Sequence, residues 1–168
     1  GIVGVNVTIP HKISVIQYLD VLSKEAELIG AVNTIHNNQG VLYGYNTDGQ
    51  GFIQSLIRDG NVDPKDKNIV ILGAGGAARG ISVSLALRGS TQLVVAARNQ
   101  VQAVRLADDL AKVNPNCRCI AVGLKEPRLK TLIQDSHILV DTTPVGMYPN
   151  IAEPPVIDGS FFHRELLV

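Results

Sequence analysis

Apolar and polar positions divide the chain into two rhythms. Residues 2–9 read Ile-Val-Gly-Val-Asn-Val-Thr-Ile, a β-rich pattern that Pro10 stops. From Ile13 to Ile29 the apolar positions fall at helical spacing (Ile13, Ile16, Leu19, Leu22, Ala26, Ile29). The pattern breaks around Asp20 to Ser23, so two short helices fit better than one. Gly30 then supplies a C-terminal cap. Residues 31–36 and 41–46 are short β-type runs, and Asn37-Asn38-Gln39-Gly40 between them is hairpin turn chemistry. Asn46-Thr47-Asp48-Gly49 opens a further helix. Thr47 or Asp48 can cap its first turn, and Phe52, Ile53, Leu56 and Ile57 lie on one side. Asp59-Gly60-Asn61 ends it, and residues 62–67 form a polar connector.

Beyond residue 67 strands alternate with helices. Ile69-Val70-Ile71-Leu72 is a continuous apolar run, as in a strand buried on both faces. Helical segments over 76–88, about 100–112 and about 125–134 separate it from β-type runs at 93–97, 119–122 and 138–140. This order predicts an α/β fold: a Rossmann-like, doubly wound parallel sheet, incomplete, preceded by part of a second α/β unit. The boundary is expected between about residues 50 and 67, giving units 1–60 and 61–168.

Composition adds mainly exclusions. Fifteen basic and fifteen acidic residues cancel, so net charge gives no reason to expect nucleic acid or a membrane surface as partner. No run approaches the ~20 apolar residues that cross a bilayer. Cys117 and Cys119 alternate within a β-type run and would share one face. Their spacing suits neither zinc nor a thioredoxin-like pair, and two packed thiols point to a reducing, cytoplasmic setting. The chain starts without Met inside a strand and stops in the apolar run Glu-Leu-Leu-Val, so parts of both ends are expected to be missing.

The strongest local signal is Gly73-Ala74-Gly75-Gly76-Ala77-Ala78, directly after the buried strand and opening a helix. In that context it reads as a dinucleotide fingerprint. Gly73 permits the tight turn, Gly75 lets backbone approach the pyrophosphate, and Ala78 keeps helix and sheet close. The helix N-terminus offers free N–H groups to the phosphates. The next strand ends in Ala96-Ala97-Arg98-Asn99, where an NAD site would usually carry Asp or Glu. Arg98 suits a 2′-phosphate, which favours NADP over NAD.

Lys12 follows the first strand at the start of a helix, where a cation opposes the dipole. Asn-Val-Thr-Ile-Pro-His-Lys (6–12), Gly-Ala-Val-Asn-Thr (30–34), Gly-Tyr-Asn-Thr-Asp-Gly (44–49), Gly-Ala-Gly-Gly-Ala-Ala-Arg (73–79) and Thr-Thr-Pro-Val-Gly-Met (142–147) stand here in that order. In order and spacing the chain resembles the shikimate dehydrogenase family, shikimate 5-dehydrogenases and quinate/shikimate dehydrogenases included.

The resemblance implies reversible NADP-dependent oxidation of shikimate to 3-dehydroshikimate, in aromatic amino-acid biosynthesis. It implies Lys12 and Asp48 as the catalytic pair, with Thr8 and Asn33 beside them on the substrate. It adds Thr142, Gly146 and Met147 near the nicotinamide, to a cofactor site already read over Gly73, Ala74, Gly75, Gly76, Ala77, Ala78 and Arg98. His11 adjoins Lys12, but the family motif uses the lysine. A second arginine is frequent in NADP members where Gln102 stands here, with Arg105 three residues on; Asp141 replaces a common asparagine. The implied partner is a small molecule, shikimate or quinate, with no nucleic acid, membrane or metal, and a monomer or homodimer. The alternatives are a quinate/shikimate enzyme using NAD and a non-catalytic dehydrogenase-like sensor, which would not need both Lys12 and Asp48. A methylene-tetrahydrofolate dehydrogenase is disfavoured by Asn-Thr-Asp-Gly beside the boundary.

Overall fold

A computed structural model describes residues 1–149 and 151–168. The first sheet joins β1 (Gly4–Asn6), β2 (Val21–Leu22), β3 (Thr34–Asn38) and β4 (Val41–Tyr45) in the order β1-β3-β4-β2. β3 pairs antiparallel with both β1 and β4, and β2 runs parallel to β4. The hairpin between β3 and β4 turns through Gln39 and Gly40, both at positive φ (54° and 97°), the geometry of a two-residue primed turn. α1 (Lys24–Ile29) starts where the Ser23 hydroxyl accepts the Ala26 N–H, and it ends on left-handed Gly30.

The second sheet is parallel throughout. Its strands are β5 (Asn68–Leu72), β6 (Gln92–Ala97), β7 (Arg118–Gly123) and β8 (Ile138–Asp141), in the order β7-β6-β5-β8. β5 is therefore central and parallel to both neighbours, as its apolar run predicts. α3 (Gly76–Arg88) and α4 (Gln100–Val113) cover one face, and α5 (Arg128–Gln134) covers the other. The faces follow the period of two. Ile69 and Ile71 pack with Leu93, Val95, Leu106 and Leu110, whereas Val70 and Leu72 pack with Val94, Leu129 and Ile133. Each such Leu or Ile contributes about 1.5–3 kcal/mol by leaving water. Cys117 and Cys119 are free thiols on the α4 side. Contact with Cys119, and then burial, pushes the Cys117 thiol well above its usual range.

The first half keeps a small interior of its own around Ala26, Val32 and Ile35, and it also shares one with the second. Ile29 and Ala31 from the first half, and Leu56 from α2 (Asp48–Arg58), belong to the same buried cluster as Ile69 and Ile71. α2 meets α3 where side chains are missing. A Cβ on Gly49 would drive into Ser84 Oγ and stand 2.5 Å from the Gly80 carbonyl oxygen. A Cβ on Gly80 would lie 3.2 Å from Asn46 Oδ1. Arg79, also on α3, donates from Nε to the Ile29 carbonyl (2.6 Å) and from Nη2 to Asp109 on α4 (3.0 Å).

Local expectations were corrected at five points. The first strand pairs only over Gly4–Asn6, although the Val7 N–H still reaches the Asn33 carbonyl (2.8 Å). The first of the two helices is a 3₁₀ segment, Ser14–Tyr18, because the β-branched run Ile13, Val15, Ile16 is a poor helix former. The break after it holds a short strand, β2, which the apolar pattern does not show. Thr47 occupies the N-cap of α2 without a side-chain bond; Asn46 Oδ1 accepts the Asp48 N–H instead (3.1 Å), since the Thr47 hydroxyl is engaged with Asn33. Ile57 lies at the exposed rim of α2, outside the apolar face of Phe52, Ile53 and Leu56.

The α2–α3 contact yields a paired prediction. Gly49→Ala should lower stability by about 1–3 kcal/mol through overpacking. Gly51→Ala, two residues on in the same helix and facing open space, should be neutral or raise stability by about 0.5–1 kcal/mol. Urea midpoints at unchanged m-value decide it, and equal effects at both positions would refute the close approach.

Candidate active site

In a parallel sheet the loops that leave adjacent strands toward opposite faces open a crevice at the strands' C-terminal ends. β5 and β8 make that crevice here. β5 runs into the glycine loop and α3 on one face; β8, reached from α5 on the other, runs into Thr142-Thr143-Pro144. A cavity of about 690 Å³ fills the crevice. Its wall takes in Gly73 to Ala77, Arg98 at the end of β6, Thr142 to Val145, and Lys12 from the first half.

The glycines differ in what demands them. Gly73 has φ 108°, and a Cβ there would come 2.5 Å from Thr142 Oγ1, so both conformation and space require glycine. Gly75 has an ordinary φ, and its Cβ would project into open space. The fold does not require glycine there; a ligand held against the backbone would. Gly76 makes room for a side chain: a Cβ on it would lie 3.2 Å from Lys12 Cβ. α3 begins with no side-chain cap and no acidic residue in its first turn, which leaves its N-terminal N–H groups available to an anion.

Lys12 reaches the cavity from a turn in which the His11 N–H bonds the Thr8 carbonyl (2.8 Å). The Lys12 carbonyl accepts the Val32 N–H (2.8 Å), and the next amide, that of Asn33, donates to the Tyr45 carbonyl (3.0 Å). These bonds draw Lys12, Asn33 and the start of α2 to one point. Lys12 Nζ then stands 2.5 Å from Asp48 Oδ2, with 14% and 26% of the two side chains exposed. Asp48 Oδ1 accepts from Asn33 Nδ2 (2.7 Å), which also donates to Thr47 Oγ1 (3.0 Å). Asn33 Oδ1 accepts the Thr47 N–H (3.1 Å) and the Thr34 hydroxyl (2.9 Å). Asn33 is buried, and its amide helps to hold the carboxylate in place.

Of the residues singled out in the sequence, Lys12, Gly73 to Ala77, Arg98 and Thr142 line the cavity. Asp48 touches it through Lys12, with Asn33 behind. Ala78 is buried beneath the loop against the sheet. Thr8, Gly146 and Met147 are exposed and are not part of the cavity wall. One residue was missed. Thr142 Oγ1 donates to the Leu72 carbonyl (2.6 Å), so its hydroxyl serves the loop. The hydroxyl of Thr143 is buried on the cavity wall with no partner among the described residues. Two adjacent threonines after a strand look alike in sequence; the turn closed by Asp141 Oδ1 on the Thr143 N–H (2.8 Å) decides which faces inward. No cluster of three or more His, Cys, Asp or Glu arranged for a metal occurs among the described residues, and none of its helices is long and apolar enough to cross a membrane.

A Rossmann-type half with a fingerprint loop, meeting a smaller α/β half that carries a paired lysine and aspartate, has the build of a two-part dinucleotide-binding protein. The family model for the shikimate dehydrogenase substrate binding domain matches residues 1–35, and that for shikimate / quinate 5-dehydrogenase matches residues 56–145. The chain belongs to the shikimate / quinate 5-dehydrogenase family. It is 46% identical over its whole length to a shikimate dehydrogenase (NADP(+)) of Methanopyrus kandleri, covering 58% of that protein. Among solved structures it is similar to a shikimate dehydrogenase in complex with NADP+ (TM-score 0.87, 40% identity, 99% of this chain and 56% of that one). It is also similar to the shikimate 5-dehydrogenase of Listeria monocytogenes in complex with shikimate and NAD (TM-score 0.85, 33% identity, 98% and 58%). The chain thus spans little more than half the length of these relatives.

The two threonines should separate in a stability assay. Thr142→Val removes a hydrogen bond and should cost about 0.5–1.5 kcal/mol. Thr143→Val removes a buried hydroxyl without a partner and should leave the urea midpoint unchanged or raise it. A larger loss at Thr143 than at Thr142 would mean that the hydroxyl has an internal partner after all.

Proposed function

We propose that the protein catalyses the reversible NADP-dependent oxidation of shikimate to 3-dehydroshikimate, a step of aromatic amino-acid biosynthesis. The observation that carries this reading is the 2.5 Å contact between Lys12 Nζ and Asp48 Oδ2, made where Lys12 enters the cavity that begins at the glycine loop. The residues present fit a dinucleotide: open space at Gly75, an uncapped α3 N-terminus, and a buried hydroxyl on Thr143 awaiting a partner. When bound, the nicotinamide supplies the hydride acceptor.

The chain's own residues supply positioning and a place for the proton. A carbinol carbon that gives up hydride becomes a carbonyl only if its hydroxyl proton departs as well. That proton passes to the Lys12–Asp48 couple, which shares it across the short contact and keeps the hydroxyl in line. The Asn33 amide, bonded to Asp48 Oδ1, holds the carboxylate with Oδ2 toward Lys12. Thr8 and Asn33 are the proposed substrate contacts, and Thr142, Gly146 and Met147 the proposed neighbours of the nicotinamide. Residues 1–60 would serve the substrate and 61–168 the dinucleotide, a division of task, since the buried cluster crosses it. Arg98, on the cavity wall where an NAD site carries a carboxylate, favours NADP. A sensor that only bound these ligands would have no use for an ion pair held by so many bonds.

NADP and NAD titrated into the protein and into Arg98→Ala should show that the preference for NADP falls with the guanidinium; an unchanged preference would make Arg98 a solvated residue only. Lys12→Ala should lower kcat by about 10²–10⁴-fold while KM moves far less. Steady-state oxidation of shikimate measures it. A Lys12→Ala protein with near-normal kcat would end the catalytic reading and favour the sensor.

A further inference from the structure

Resting on the NADP reading above, we propose that Lys125 is the second arm of the clamp on the ribose 2′-phosphate, filling the role that Gln102 cannot. β6 and β7 are adjacent and parallel, and Ala97 pairs with Gly123 at their C-terminal ends. Arg98 is one residue beyond that pair and Lys125 two residues beyond it, so the strands deliver two cations to the same edge of the cavity. Both residues line its wall, together with Asn99 and Gln102 from the start of α4. Gln102 carries no charge, and its backbone N–H is taken by Asn99 Oδ1 (3.2 Å).

The acidic neighbour of Lys125 does not neutralise it. Glu126 Oε1 accepts from the Gly123 N–H (2.7 Å) and from Gln100 Nε2 (2.9 Å), and Oε2 accepts from Arg128 Nε (2.7 Å). The Gly123 N–H, ahead of Arg128 and Gln100, holds the Glu126 carboxyl below its usual range, so it stays ionised and in these bonds. Its bond to Gln100 also ties the loop that bears Lys125 to the first turn of α4. Glu153 is on the cavity wall too, but among the described residues neither Arg98 nor Lys125 forms an ion pair. Two unpaired cations on a braced frame, beside a helix start with no acidic residue in its first turn, suit a dianionic phosphate.

The test uses adenosine 2′,5′-bisphosphate, with 5′-AMP as the ligand lacking the 2′-phosphate, titrated calorimetrically into the protein and its Lys125→Gln, Lys125→Arg and Arg98→Gln variants. The protein should prefer the bisphosphate. Lys125→Gln should weaken the bisphosphate by ~10-fold, about one charge-assisted hydrogen bond, and leave 5′-AMP unchanged. Lys125→Arg should retain the preference. If Arg98→Gln abolishes the preference while Lys125→Gln keeps it, the role of Lys125 is overturned and the NADP reading stands. If the protein itself prefers neither ligand, the NADP reading falls and the clamp with it.

Discussion

Gly49 on α2 lies against Gly80 and Ser84 on α3, and this contact between missing side chains sets the distance on which the site depends. Asp48 precedes Gly49 at the head of α2, and Gly76 begins α3, with the stem of Lys12 laid across it. The helix contact therefore fixes two things at once: where the carboxylate stands, and where the fingerprint loop passes. A few tenths of an ångström added between the helices would be felt at the ion pair, because packed interiors transmit displacement rather than absorb it.

Polar groups buried near that contact are used for position. Asn33 bonds the Thr47 hydroxyl and N–H and donates to Asp48 Oδ1, Asn46 bonds the Ala31 carbonyl and the Asp48 N–H, and Lys12 donates to Oδ2, so a part-buried carboxylate has donors on both oxygens. A buried charge without them would cost several kcal/mol. Arg79 works the same way at a larger scale: one guanidinium binds the last carbonyl of α1 and a carboxylate on α4. The result is one framework in which the first sheet cannot move far without breaking bonds to the second.

The second half was largely legible in the sequence. A strand buried on both faces is apolar without alternation, and a glycine loop after it has few other uses, so β5, the loop and α3 fall where residues 69–88 place them. The first half was less so. A two-residue strand such as Val21–Leu22 leaves no periodicity, and its pairing with β4 is decided by tertiary contacts. Lys12 and Asp48 are 36 positions apart, and their partnership was suggested by likeness to a family, not by spacing; the backbone bonds that bring them together carry no sequence signature. Capping by Asn46 instead of Thr47, and the inward turn of Thr143 instead of Thr142, are choices between neighbours of similar chemistry. Lys125 carries no motif that singles it out in the sequence, and only the geometry shows the carboxylate of Glu126 beside it already taken.

The bare surface of Gly49 also constrains how the family line can vary. Volume at this crossing is a shared quantity, held jointly by positions 49, 80 and 84. A methyl gained at 49 would meet Ser84 Oγ and Cβ and also the Gly80 carbonyl oxygen, and that oxygen is backbone, so trimming position 84 alone makes no room for it. Position 49 should therefore stay glycine among descendants whatever stands at 84, while Gly51, one face away on the same helix, drifts freely.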